Sequence, residues 1–173
     1  MQLNLQTDRK KIRLYIEQRI RDYPDYVNEG PGDDEAPISL ITAAYYAAQS
    51  GYFILVFDTR PNADPDGEWT IHHAETTMLN FPKWATVYDA VVDGKTATIR
   101  TEDGASIVAK NNDIDLDLII GQTITRVVEE LRAEGAFDSL PLAPRAFIVV
   151  EEFDGNYFWP DYKKRKTLGR IKR

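Results

Sequence analysis

The stretch from Asn112 to Asp154 admits few architectures: an amphipathic helix, a short loop and a dense apolar strand. Leu116, Ile119, Ile120, Ile124, Val127, Val128 and Leu131 recur at three- and four-residue steps, which is one face of a helix. Asn112 or Asp113 is placed to accept the unpaired amide hydrogens at its start. Asp115 and Asp117 then put negative charge in the first turn, where the helix dipole favours it. Gly135 suits the left-handed cap that ends such a helix, with Phe137 packing back on the last turn. Beyond the loop Pro141-Leu142-Ala143-Pro144, the run Ala146-Phe147-Ile148-Val149-Val150 is too short for a helix and rich in β-branched side chains. It predicts a central strand covered on both faces.

The rest of the chain supplies further elements. Asp8 to Tyr23 predicts a second amphipathic helix on the stripe Ile12, Tyr15, Ile16 and Ile20, capped by Thr7 or Asp8 and ended by Pro24. Its basic remainder reads as a solvated face rather than a phosphate site. Ile38 to Gln49, dense in alanine, predicts a third helix, broken by Gly51 before the strand Tyr52 to Phe57. Trp69 to Ala74 alternates like a strand, and Pro82 opens a helix with Trp84, Val87, Tyr88 and Val91 inward. Thr96–Arg100 and Ala105–Ala109 flank Glu102-Asp103-Gly104 as a hairpin. Together these predict an α+β fold: one domain, residues 1–162, with a mainly antiparallel sheet of about five strands and helices packed on it. Residues 163–173 form a basic C-terminal tail, too charged to have a core of its own.

Charge is distributed unevenly. The net charge is −7, but residues 1–25 are weakly basic, residues 26–160 strongly acidic, and the tail from Lys163 to Arg173 strongly basic. An acidic body repels nucleic acid at long range and attracts basic surfaces. The absence of cysteine removes disulfides and thiolate chemistry. No apolar run reaches the roughly 20 residues that span a bilayer, and the N-terminus lacks the apolar core of a secretory signal. The expectation is a cytoplasmic protein with no membrane association.

Motifs for catalysis are missing: there is no phosphate-cradling Gly-rich loop, no Gly-x-Ser-x-Gly elbow and no His-Glu-x-x-His. His72 and His73 point to opposite faces of a strand, so they do not share a metal even with Glu75 nearby. Asp113, Asp115 and Asp117 read as the acidic start of a helix, and Asp64-Pro65-Asp66-Gly67 lacks the ligand spacing of a calcium loop. No catalytic residue, metal or cofactor is assigned. The favoured function is a non-catalytic binding protein that uses Glu29, Asp33, Asp34, Glu35, Asp64, Asp66 and Glu68 on surface loops against a basic protein partner. The alternative is a small enzyme or ligand-binding protein with a pocket near Asp58, His72 and Glu151. Nucleic acid would be met only through the basic tail, with Tyr157, Phe158, Trp159 and Tyr162 beside it as stacking platforms.

The run Val127-Val128-Glu129-Glu130-Leu131-Arg132-Ala133-Glu134-Gly135-Ala136-Phe137, followed after a loop by Arg145 to Asp154, resembles the C-terminal part of a group of uncharacterised bacterial proteins. Leu40 to Thr59 is similar to their N-terminal half. That group is discussed beside the immunity proteins of bacterial toxin systems, which are small acidic-leaning binders without catalytic residues. The resemblance therefore implies an immunity-like binder. It does not extend to His72–Lys110, and it carries no site residue across.

Overall fold

The computed structural model describes residues 1–23, 36–48, 50–60, 78–110 and 115–152, and the backbone of 166–167. The chain is α+β, built on two sheets. The elements, in order, are β1 (Gln2–Asn4), α1 (Leu5–Arg21), β2 (Ile38–Tyr46), β3 (Tyr52–Asp58) and β4 (Leu79–Asn80). They continue with α2 (Pro82–Val92), β5 (Ala97–Arg100), β6 (Ser106–Ala109), α3 (Leu116–Ala133), a 3-10 turn (Ala136–Ser139), β7 (Leu142–Glu152) and β8 (Lys166–Thr167). The larger sheet has the order β4-β3-β2-β7-β8, and the smaller one β1-β5-β6. Within the larger sheet only β2–β7 is parallel; its other pairs are antiparallel.

The helix-to-strand unit behaves as its spacing requires. In α3 the side chains of Leu116, Ile120, Ile124, Val127, Val128 and Leu131 are buried, and Ile119 is partly so. Fully burying a side chain of this size contributes about 1.5–3 kcal/mol, so the stripe holds the helix on the sheet far more firmly than propensity alone. The helix starts later than Asn112 or Asp113, which lie outside the described residues. Asp115 is the cap, its Oδ1 accepting the Leu118 amide hydrogen at 2.9 Å, with Asp117 in the first turn. Gly135 takes the left-handed conformation with φ of 76°, and Phe137 is buried behind it.

One predicted helix is a strand. Ile38–Tyr46 forms β2, and all nine of its residues are buried. Flanked by β3 and β7, this strand buries both faces, so it lacks the alternation that marks a half-exposed strand. Ala43 sits between Leu55 and Val150, where a larger side chain would crowd its neighbours, so its alanines record packing rather than helix propensity. The loop expected at Pro141–Pro144 lies mostly within β7. There the pairing with β2 shifts from Ile38 opposite Leu142 to Leu40 opposite Phe147, and the extra residues around Pro144 bulge outward.

Three further differences are local. Helix α1 begins at Leu5, earlier than expected, and its cap is Asn4, whose Oδ1 accepts the Thr7 amide hydrogen at 3.2 Å. The hairpin β5–β6 forms as predicted, but it gains β1 as a parallel third strand. The larger sheet draws its edge strand β8 from within the basic tail, Thr167 pairing with Phe147 and Lys166 with Ile148. The strand expected at Trp69–Ala74 lies outside the described residues.

The three helices among the described residues and the smaller sheet share one hydrophobic cluster with the sheet face that carries Ile41, Ala43, Tyr45, Phe53, Leu55, Ile148 and Val150. The other face holds a smaller cluster of Ala44, Ile54 and Val56, with Tyr52 and Met78 packed on it. Helix α2 begins at Pro82 and buries Trp84, Val87 and Val91 in the main cluster. Among the described residues no helix is long and apolar enough to cross a membrane.

Candidate functional site

The seven acidic residues expected to bind, Glu29, Asp33, Asp34, Glu35, Asp64, Asp66 and Glu68, lie outside the described residues, as do His72 and His73. The points from which their segments leave the fold are described, and they are neighbours. Segment 24–35 begins after Tyr23, whose ring packs edge-on against Phe57 near the end of β3, with centroids 5.0 Å apart. It ends before Ala36, just ahead of β2, whose Leu40 pairs with Asp58. Segment 61–77 begins after Arg60, immediately beyond β3. Both acidic segments therefore start from the same end of the β2–β3 pair, while 61–77 rejoins the fold just before Leu79, which pairs with Phe53 at the opposite end of β3.

That end is tightly fastened. The Ser39 hydroxyl donates to the carbonyl oxygens of Asp58 and Arg60, at 3.1 and 2.6 Å. Arg60 donates to Asp58 Oδ1 from its backbone amide at 2.9 Å and from Nε at 3.0 Å, and closes a fork through Nη2 to Oδ2 at 2.5 Å. The bond to Asp58 holds the Arg60 guanidinium above its usual pKa. Below it, Arg19 is buried with its guanidinium 5.9 Å from the centre of the Phe57 ring.

The alternative pocket does not converge. Strand register puts Asp58 and Glu151 on the same sheet face, but beside Leu40 and Ala44 respectively. That separates them by about 13 Å along the strand direction, with the width of β2 between them as well. The Asp58 carboxylate is already taken by Arg60. Glu151 and Glu152 point to opposite faces, as alternation requires. Among the described residues no group of three His, Asp or Glu side chains is arranged to hold a metal ion.

The basic residues of α1 divide in a way the sequence does not reveal. Arg9 pairs with Glu102 in the hairpin turn and with Glu130 of α3. Arg13 pairs with Glu17, at 2.9 Å, and with Glu134 at the end of α3. Arg126 of α3 reaches Glu102 from the other side, so this carboxylate, only 11% exposed, ties α1, α3 and the hairpin together. The bond from Arg13 lowers the Glu134 pKa. Of the six basic residues on this helix, Arg9 and Arg13 thus hold the fold through ion pairs, and Arg19 is buried over Phe57. The signal was available in sequence, since Glu130 and Glu134 flank the apolar stripe of α3, but the partner helix could not be inferred from spacing.

No family model matches this chain, and no curated protein or solved structure matches it.

Proposed function

We propose that this protein is a non-catalytic intracellular binder, immunity-like in kind, that meets a basic protein partner through the acidic segments containing Glu29–Glu35 and Asp64–Glu68. The observation that supports the reading is the shared point of departure: both segments leave from the fastened end of β2–β3, at Leu40, Asp58 and Arg60. Binding side chains are commonly carried on segments that leave a rigid sheet, and a shared root would let both serve one partner. The acidic excess of residues 26–160 adds long-range attraction for a basic partner, and it speeds encounter more than it tightens the final complex. The reading centred on Asp58, His72 and Glu151 draws less support, because its two described carboxylates stand at opposite ends of the sheet.

The test is capture from the native cell at low and moderate salt, followed by association kinetics with the captured protein once identified. The triple substitution Asp33→Ser, Asp34→Ser and Glu35→Ser is expected to slow association and to flatten its salt dependence. Association that is unchanged and insensitive to salt would overturn the reading.

A further inference from the structure

The outward face of α1 differs from the rest of this acidic protein. Thr7, Lys10, Leu14, Gln18 and Arg21 are exposed and follow one another at three- and four-residue steps, with exposed Lys11 beside Lys10, opposite the buried stripe of Leu5, Ile12, Ile16 and Ile20. Leu14 is 66% exposed at the middle of that face. The helix carries two acids: Asp8 is buried against Trp84, and Glu17, half-buried at the margin of this face, is already bound by Arg13. Lys10 has no acidic residue three or four positions away on the helix, and neither it nor Arg21 has a charge partner among the described residues.

Helix stability does not account for the pattern. Arg21 in the last turn suits the helix dipole, but Lys10 and Lys11 sit too far from that end to gain from it. An ion pair at i, i+4 would stabilise the helix, and Lys10 has none.

We propose that this face of α1 is a docking surface for an acidic peptide segment that lays an apolar side chain over Leu14. Charge complementarity selects the occupant. The face offers several positive charges around one apolar centre, which matches carboxylates flanking an aliphatic residue. Lysine ammonium groups are point charges without the fork that grips phosphate in two places, and a chain of net charge −7 repels a dense polyanion at long range. Exposed aliphatic surface also finds no counterpart on a phosphate backbone. The inference does not depend on the acidic segments, because it uses a different surface and the opposite charge.

The experiment uses the full chain and a short fluorescein-labelled helical peptide with glutamates flanking a leucine stripe, read by anisotropy. A single-stranded oligonucleotide and phosphatidylserine vesicles serve as the competing classes. The pair Lys10→Glu and Lys11→Glu is expected to weaken peptide binding about tenfold or more. Leu14→Ser should weaken it with little change in salt dependence, and Lys95→Glu, on the turn after α2, should leave it nearly intact. Amide shifts induced by the peptide should cluster on α1, which separates a local effect from loss of structure. Failure of the peptide to bind overturns the proposal, as does binding unchanged in the Lys10/Lys11 variant or weakened equally by Lys95→Glu. Tighter binding of the oligonucleotide or the vesicles than of the peptide also overturns it.

Discussion

The indole N–H of Trp84 donates to Asp8 Oδ2 at 2.9 Å, joining the first turn of α1 to α2 inside the core. Trp84 is fully buried and stacks on Phe81 with centroids 4.1 Å apart. Its N–H needs an acceptor there, and Asp8 supplies it at the cost of placing a carboxylate in a poorly solvated position.

Burial raises the Asp8 pKa, and this outweighs the Trp84 hydrogen bond and the charges of Lys11 and Lys83, all of which lower it. A carboxyl whose folded pKa lies above its unfolded value contributes stability that is fully present below the unfolded pKa and is lost as pH rises through the folded one. Asp8→Asn keeps an acceptor for the indole without the charge. Its stability relative to the native chain should therefore improve from mildly acidic pH to pH 7, as measured by urea midpoints across that window. Asp8→Ala, by contrast, strands the indole N–H and should cost about 1–3 kcal/mol in acid, less as pH rises through the folded pKa.

Gly51→Ala should be among the most damaging single changes. Gly51 has φ of +60°, and a methyl group there would stand 2.2 Å from the Phe81 carbonyl oxygen. The Gly51 carbonyl also receives the Phe81 amide hydrogen at 2.7 Å, so the two backbones cannot part without losing that bond. A loss of about 2 kcal/mol or more is expected in equilibrium unfolding, with the denaturant slope unchanged.

The carboxylate of Glu102 lies between Arg9 and Arg126 and is largely sheltered from water. A double-mutant cycle of Glu102→Gln with Arg126→Met should give a coupling of about 1 kcal/mol, above that of an ordinary exposed pair because three elements share the group. The coupling should shrink as salt is added, and thermal unfolding at two ionic strengths checks both statements.

Removing residues 163–173 takes away β8, and with it the pairing at Phe147 and Ile148. Two residues of ladder carry few hydrogen bonds, so the expected cost is about 1 kcal/mol. Hydrogen exchange would localise it: amides of β7 near Ile148 should lose protection while those of α3 keep theirs.

The sequence made α3, its glycine cap and the core of β7 legible because each rests on a local rule: helical spacing, a left-handed glycine, a β-branched run. The α2 start at Pro82 and the β5–β6 turn at Gly104 were legible for the same reason. β2 was not, because Ala43 and Ala44 look helical until the strand is known to lie between β3 and β7 with a hydrophobic cluster on each face. Three-residue β1 carries no pattern of its own and exists through its pairing with β5. Of the expected site, Asp58 and Glu151 could be placed in sequence but their separation could not, since it depends on register between strands far apart in the chain. The outward Lys10, Lys11 and Leu14 were visible as residues, yet the structure was needed to separate them from Arg9 and Arg13, which the fold uses.

The parallel pairing of β2 with β7 sets a timetable for the chain's own synthesis. Leu40 comes to lie beside Phe147, roughly 100 residues later in the sequence, so the larger sheet cannot close until nearly the whole chain has emerged. At about 5–20 residues per second, β2 waits some seconds with its apolar faces incompletely covered. β3 follows it closely and can shield one edge, but the other edge stays open for a foreign strand. Nascent-chain quality is therefore decided at β2, whose open edge waits for β7 while the rest of the chain is made.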